Sequence, residues 1–233
     1  MLLDLIKDLQ RLASPEKAKV LQRFFKTGPG EYGEEDIFLG ITVPEQRQIA
    51  KKYIGLNLNK IQELLKSKVH EHRLVALLIL VEKFKKSDDR EKANIFNFYM
   101  RNIKYVNNWD LVDLTAPNIV GEFLNDKKKD ILYKLAESNS LWEKRVSIIA
   151  TFAFIRNNEF DDALRISKIL IKDYHDLIHK DVGWMLREIG KRNKEILEEF
   201  LNKHSKEMPR TMLRYAIEKF PDGLRRKYLM GEI

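Results

Sequence analysis

The residues best suited to chemistry are Trp109 and Asp113, within the run Asn107-Asn108-Trp109-Asp110-Leu111-Val112-Asp113. The run reads as a helix start. Side chains four residues apart on a helix share a face, so the indole and the carboxylate are expected to point the same way. A flat, electron-rich ring beside an anion is a receptor for a planar cation. The chain itself is basic, with 43 Lys and Arg against 35 Asp and Glu, a formal charge of +8. That surplus favours an anionic partner, although it is spread along the chain. A positively charged, damaged nucleobase satisfies both conditions.

A second indole has similar company. From Asp176 to Lys191 the apolar residues Ile178, Val182, Met185, Leu186 and Ile189 form one helical stripe. Lys180, Trp184, Arg187 and Lys191 fall on another side, and an indole among cations is poorly explained as core. The competing reading is that Trp109 and Trp184 fill gaps between packed helices. Trp142, in the first turn after a Ser140 cap, reads as packing. Asp113 alone reads equally as a solvated or paired acid, with Arg145 as a structural partner. Arg145, Lys180, Arg187, Arg210 and Arg214 read equally as surface charge in a chain that is 33% charged.

Other chemistries find less support. There are no cysteines, which excludes disulfides, thiolate metal sites and thiol catalysis and fits a reducing compartment. His175 and His179 have the spacing of a zinc pair, but Asp176 stands where metalloproteases carry Glu, and no further ligand is evident. His70, His72 and His204 read as helix-surface or capping residues. No nucleophile-elbow motif and no strand to mount one is present. The segment Thr27–Asp36 is rich in glycine and ends on three carboxylates, which would repel phosphate. It lacks the Lys-Ser/Thr end of a phosphate-binding loop and reads as a connector.

Helical periodicity dominates the elements that must position these residues. Thr42-Val43-Pro44-Glu45 and Ser140-Leu141-Trp142-Glu143 match the capping box. Ser14-Pro15 sets a cap before a tolerated proline, and Pro117, Pro209 and Pro221 mark new helices. Related amphipathic segments begin near Arg73, Asp110, Arg145 and Val182, at intervals of 37, 35 and 37 residues. Second helices over 90–103, 127–137 and 160–171 lie between them. A fifth member near Thr211 follows after 29 residues. Such helix pairs bury their faces only by stacking, which predicts an all-α, curved solenoid of HEAT-like helix-pair repeats. No Ser/Gly-rich linker interrupts the chain, so one repeat domain over residues 1–233 is expected. No apolar run approaches the ~18 residues that span a bilayer, and a soluble, cytoplasmic monomer is the default.

The sequence resembles the DNA alkylation repair family of HEAT-like DNA glycosylases, the AlkD type. The resemblance runs through 24–47, 107–113 (NNWDLVD), 141–145 (LWEKR), 179–192 (HKDVGWMLREIGKR) and 208–220. It implies excision of positively charged alkylpurines, such as 3-methyladenine and 7-methylguanine, from double-stranded DNA. The family's catalytic aspartate and preceding tryptophan match Asp113 and Trp109, its second cleft tryptophan matches Trp184, and its cleft arginine matches Arg145. Two indoles and one anion from distant turns are then expected to meet in one basic hollow. Lys180, Arg187, Lys191, Arg210 and Arg214 are further candidates for DNA contact. No metal or organic cofactor is implied, and no lysine stands out for a lyase step. The alternatives are a non-catalytic solenoid that binds distorted nucleic acid, and a protein-binding scaffold.

Overall fold

The computed structural model describes residues 1–233 and is all-α, the class that the periodicity predicts. Its contacts cluster into two compact units, Met1–Thr115 and Ala116–Ile233. No helix is long and apolar enough to cross a membrane.

The first unit holds α1 (Leu2–Leu12), α2 (Pro15–Phe24), α3 (Val43–Lys52), α4 (Leu58–Leu65), α5 (His70–Lys86), α6 (Asp89–Arg101) and the short α7 (Trp109–Asp113). Its spine is α5, where every residue from Leu74 to Val81 is buried. A helix apolar all round must be surrounded, and α3, α4, α6 and α7 all pack on it. By contrast, α2 has no buried residue. The Ser14 hydroxyl caps α2 by accepting from the Lys17 amide at 3.4 Å.

In the second unit a π-helical turn, Pro117–Gly121, runs into α8 (Glu122–Leu124). Then come α9 (Asp130–Ala136), α10 (Leu141–Ala150), α11 (Phe152–Arg156), α12 (Asp161–Leu170), α13 (Asp176–Gly190), α14 (Lys194–His204), α15 (Arg210–Ala216) and α16 (Asp222–Met230). The helices pair as the repeat spacing predicts: α10 packs on α13 and α13 on α15, with α9, α12 and α14 against them. The stripe Ile178, Val182, Met185, Leu186 and Ile189 is wholly inaccessible to solvent.

The two capping boxes differ in detail from the motif. At Thr42 the Glu45 carboxylate accepts from the backbone N–H at 2.8 Å and from the hydroxyl at 2.6 Å. At Ser140 the hydroxyl accepts from the Glu143 amide at 3.4 Å, but the Glu143 carboxylate takes the Ser138 hydroxyl at 2.5 Å. Ser138 Oγ in turn accepts the Ser140 N–H at 3.0 Å. A serine two residues earlier thus replaces the reciprocal half of the second box.

Where α13 crosses α15, Gly183 allows a close approach. A Cβ there would sit 2.5 Å from the Met212 carbonyl oxygen and 2.5 Å from the Tyr215 Cβ. Gly183→Ala is expected to lower stability by about 1–3 kcal/mol, the usual cost of overpacking, read as a lower denaturation midpoint. A rise, as helix propensity alone would give (about 1 kcal/mol), would contradict this packing.

Candidate functional site

The start of α5 organises the first unit. The Glu71 carboxylate is fully buried and accepts the backbone N–H groups of Leu39 (2.9 and 3.0 Å), Gly40 (2.8 Å) and Ile41 (3.3 Å). Gly40 has φ +83°, and a Cβ on it would lie 2.2 Å from the Ser14 carbonyl oxygen. The backbone can fold around the carboxylate here because this position lacks a side chain. Beside it, Ile37 N–H donates to the Lys68 carbonyl at 3.0 Å and His70 N–H to the Ile37 carbonyl at 2.8 Å. The segment from Asp36 to Thr42 is therefore fastened along the start of α5.

His70 is the centre of a buried charge cluster. Only 1% exposed, its Nδ1 lies 3.1 Å from Asp36 Oδ2 and its Nε2 lies 2.8 Å from Asp110 Oδ2. Arg73 Nη2 donates to Asp36 Oδ1 at 2.7 Å, and Asn108 Nδ2 to Asp36 Oδ2 at 3.1 Å. Both imidazole nitrogens face carboxylates, so both must carry hydrogen and the ring is cationic. Burial pulls the His70 pKa down, but Asp110 and Asp36 outweigh it and hold the value up at about 9. Burial likewise pushes Asp36 up, yet His70 and Arg73 keep its carboxyl below the usual value. The reading of His70 as a surface or capping residue is corrected here, as is that of Asp36 as one of three carboxylates on a plain connector. The partners lie 34 to 40 residues apart in sequence, beyond the reach of local periodicity. The one signal was the repeat register, which sets the charged residues Arg73, Asp110 and Arg145 at the starts of successive amphipathic segments.

This cluster carries α7. Asp110 Oδ1 accepts the Leu111 N–H and Asn108 Oδ1 accepts the Trp109 N–H, each at 2.8 Å. An aromatic column stands alongside. Trp109 stacks on Phe25 (centroids 4.8 Å apart, planes 7° apart) and meets the edge of Phe24 at 5.6 Å. Phe25 stacks on Phe38 at 4.9 Å, and Phe38 on the His70 ring at 4.5 Å. The half-buried Trp109 and Asp113 then line one cleft of about 610 Å³ with Val20, Phe24, Phe38 and Ile41. The shared face expected from their spacing is present. Asp113 is also near enough to the buried Tyr99 hydroxyl to add to the rise that burial imposes on that group.

The other candidates belong to the second unit. Trp184 on α13 is half-buried, its ring centroid 5.9 Å from that of Phe152. Arg145 on α10 is 4% exposed, and its Nη1 donates to the buried Asp181 of α13 at 2.7 Å. Lys180 pairs with Asp176 at 2.6 Å and Lys191 with Glu188 at 2.6 Å, while Arg187 bonds Glu218. The cationic face of α13 thus carries its own counter-charges. Arg210 and Arg214 are exposed, the former bonded to the Leu229 carbonyl. His175 Nδ1 accepts the Leu177 N–H at 3.2 Å, and His179 Nε2 lies 2.6 Å from the Asp173 carbonyl, so both histidines serve the start of α13. No group of three or more His, Asp or Glu is placed to hold a metal ion.

These features define a helical-repeat protein with an aromatic, carboxylate-edged cleft. Residues 5–220 match the model of the DNA alkylation repair enzyme family, and the chain belongs to that family. Three solved structures share the fold. A protein from Enterococcus faecalis described as a predicted DNA alkylation repair enzyme superposes with TM-score 0.69 at 16% identity, over 90% of this chain and 97% of that one. AlkD2 from Streptococcus mutans gives 0.56 at 19%, over 89% and 98%. The protein smu.31 from Streptococcus mutans UA159 gives 0.56 at 21%, over 77% and 93%. No curated protein matches the chain.

The cluster has a pH signature. Because the His70 pKa is raised on folding, its stabilisation is complete below about 6.5, the ordinary value, and is lost as pH rises through about 9. Denaturation midpoints of the wild type are expected to fall over that window. His70→Ala, which strands two carboxylates, should cost about 3–5 kcal/mol and remove that part of the slope.

Proposed function

We propose that the protein is a monofunctional DNA glycosylase of base excision repair. It hydrolyses the N-glycosidic bond of cationic alkylated purines, 3-methyladenine and 7-methylguanine, in duplex DNA. The observation that carries this reading is the pairing of Trp109 and Asp113 on one turn of α7 along one cleft, in a chain of the DNA alkylation repair family.

The chemistry suits the residues. Alkylation at N3 or N7 makes the purine cationic, so it departs as a neutral base and needs no protonation. The sugar gains oxocarbenium character as the bond breaks. A fixed carboxylate at Asp113 stabilises that charge more in the transition state than in the ground state, and can also orient the attacking water. Trp109 presents aromatic surface to the cation or the sugar, and Trp184, half-buried on α13, is a candidate for an aromatic contact of the same kind. Each contact is worth about 0.5–2 kcal/mol, or roughly 2–30-fold discrimination. Most selectivity therefore comes from the lability of the damaged bond itself.

Binding to the duplex falls to Lys180, Arg187, Lys191, Arg210 and Arg214. The Lys180–Asp176 pair is exposed on both sides and is worth only about 0–1 kcal/mol, so a phosphate can replace the carboxylate there at little cost. Counterion release then makes affinity fall steeply with salt. Arg145 acts at one remove, holding α10 to α13 through Asp181.

Incubation with methylated DNA, followed by chromatography for freed 7-methylguanine or 3-methyladenine, tests the activity directly. Asp113→Asn is expected to slow release about 10²–10³-fold, and retention of full activity would remove Asp113 from the mechanism. Trp184→Ala should weaken binding to DNA carrying a cationic lesion more than to undamaged DNA. Equal losses would reduce Trp184 to a general binding residue.

A further inference from the structure

Helix α7 spans only Trp109–Asp113, and a single turn does not hold its own geometry in water. Several of the contacts that hold it come from elsewhere in the first unit. The Asn108 cap is tied to Asp36, Asp110 is tied to His70, and His70 is tied back to Asp36. A second route runs from the His70 ring through Phe38 and Phe25 to the Trp109 indole. Both routes end on α7 and both begin at His70, whose side chain is 2% exposed and lies at the floor of the cleft.

We propose that His70 is the positioning residue of the candidate active site: bonded to Asp110 and Asp36 and backing the aromatic column under Trp109, it sets the orientation of the turn that carries Asp113. The inference rests on the glycosylase reading above. The charged groups around the ring come from three elements. Asp36 comes from the segment before α3, Asp110 from α7, and Arg73 from α5 itself, which pairs with Asp36. The neighbouring Glu71 carboxylate is turned to the amides of Leu39, Gly40 and Ile41. Phe25 and Phe38 present only rings. With His70 protonated, the two carboxylates and two cations sum to zero. Loss of that proton leaves one net negative charge beneath α7, and one carboxylate without its donor.

The consequence reaches the rate as well as the fold. A displacement of about 1 Å at a reacting group can cost on the order of 10²-fold. Single-turnover excision from methylated DNA, with the full chain in excess, is compared for wild type, His70→Gln and Asp113→Asn. Folding is followed by circular dichroism, and affinity for undamaged DNA by anisotropy. For His70→Gln the expected result is a rate about 10²-fold below wild type per folded molecule, with unchanged DNA affinity. The wild-type rate should also fall as pH rises through about 9, and the variant should lack that limb. A His70→Gln rate equal to wild type overturns the proposal. Should that variant not fold, the wild type decides alone: a rate flat through that pH, with the fold intact, overturns it equally. A wild type with no excision at all sinks the glycosylase reading, and this inference with it. An active wild type matched by Asp113→Asn overturns the proposal as well, while leaving the glycosylase reading in place, because the turn then carries no carboxylate the reaction needs.

Discussion

Asp36, His70, Arg73 and Asp110 form a charge cluster almost sealed from water, the most exposed member being 8% accessible. Removing four charges from solvent is costly, and their mutual attraction offsets that cost only when each is well placed and the total is neutral. Here the total is neutral and each charge has an opposite partner, although the buried Arg73 Nε has no hydrogen-bond acceptor. The geometry is consequently stiff, because any shift of α7 or of the segment at Asp36 exposes an unpaired charge in a low-dielectric interior. The orientation of Trp109 and Asp113 inherits that stiffness. Glu71, one residue on, fixes the adjoining backbone by the same logic, with a buried anion satisfied by amides in place of cations.

The second unit is built differently. Its first helices stack through apolar stripes, and at Gly183 through the absence of a side chain. Its buried pair of Arg145 and Asp181 repeats in simpler form the bond between neighbouring first helices seen at His70 and Asp110. The partners are 36 and 40 residues apart, close to one repeat in each case. Helix-pair repeats expose the same edge to each successor, so a charge at one helix start meets its partner one repeat later.

That periodicity explains what could be read from sequence. The helix starting at Asp176 was legible almost to the residue, since its apolar stripe and the charges on its other side agree. The shared face of Trp109 and Asp113 follows from local helical geometry, which four residues suffice to specify. His70 was not legible, because nothing within one turn of it names Asp36 or Asp110 as partners. The ion pairs made by the cations of α13 were legible only in part, for a related reason. Asp176 lies four residues from Lys180 and could have been paired with it, whereas Glu218, which takes Arg187, arrives from another helix pair. Local chemistry fixes which way a side chain points; only tertiary packing fixes what it meets.

One side of the cleft in the first unit is lined by Lys17, Val20, Leu21 and Phe24 of α2, the helix with no buried residue. Substitutions along it disturb little of the core, so their effect on folding free energy is small. The lining residues of α5 and α7, His70, Glu71, Trp109, Asp110 and Asp113, belong to or adjoin the charge cluster and have far less freedom. Evolutionary drift, or directed selection, therefore has one movable wall to work with: cleft width and lining chemistry can be retuned on α2 while the Trp109–Asp113 turn stays where it is.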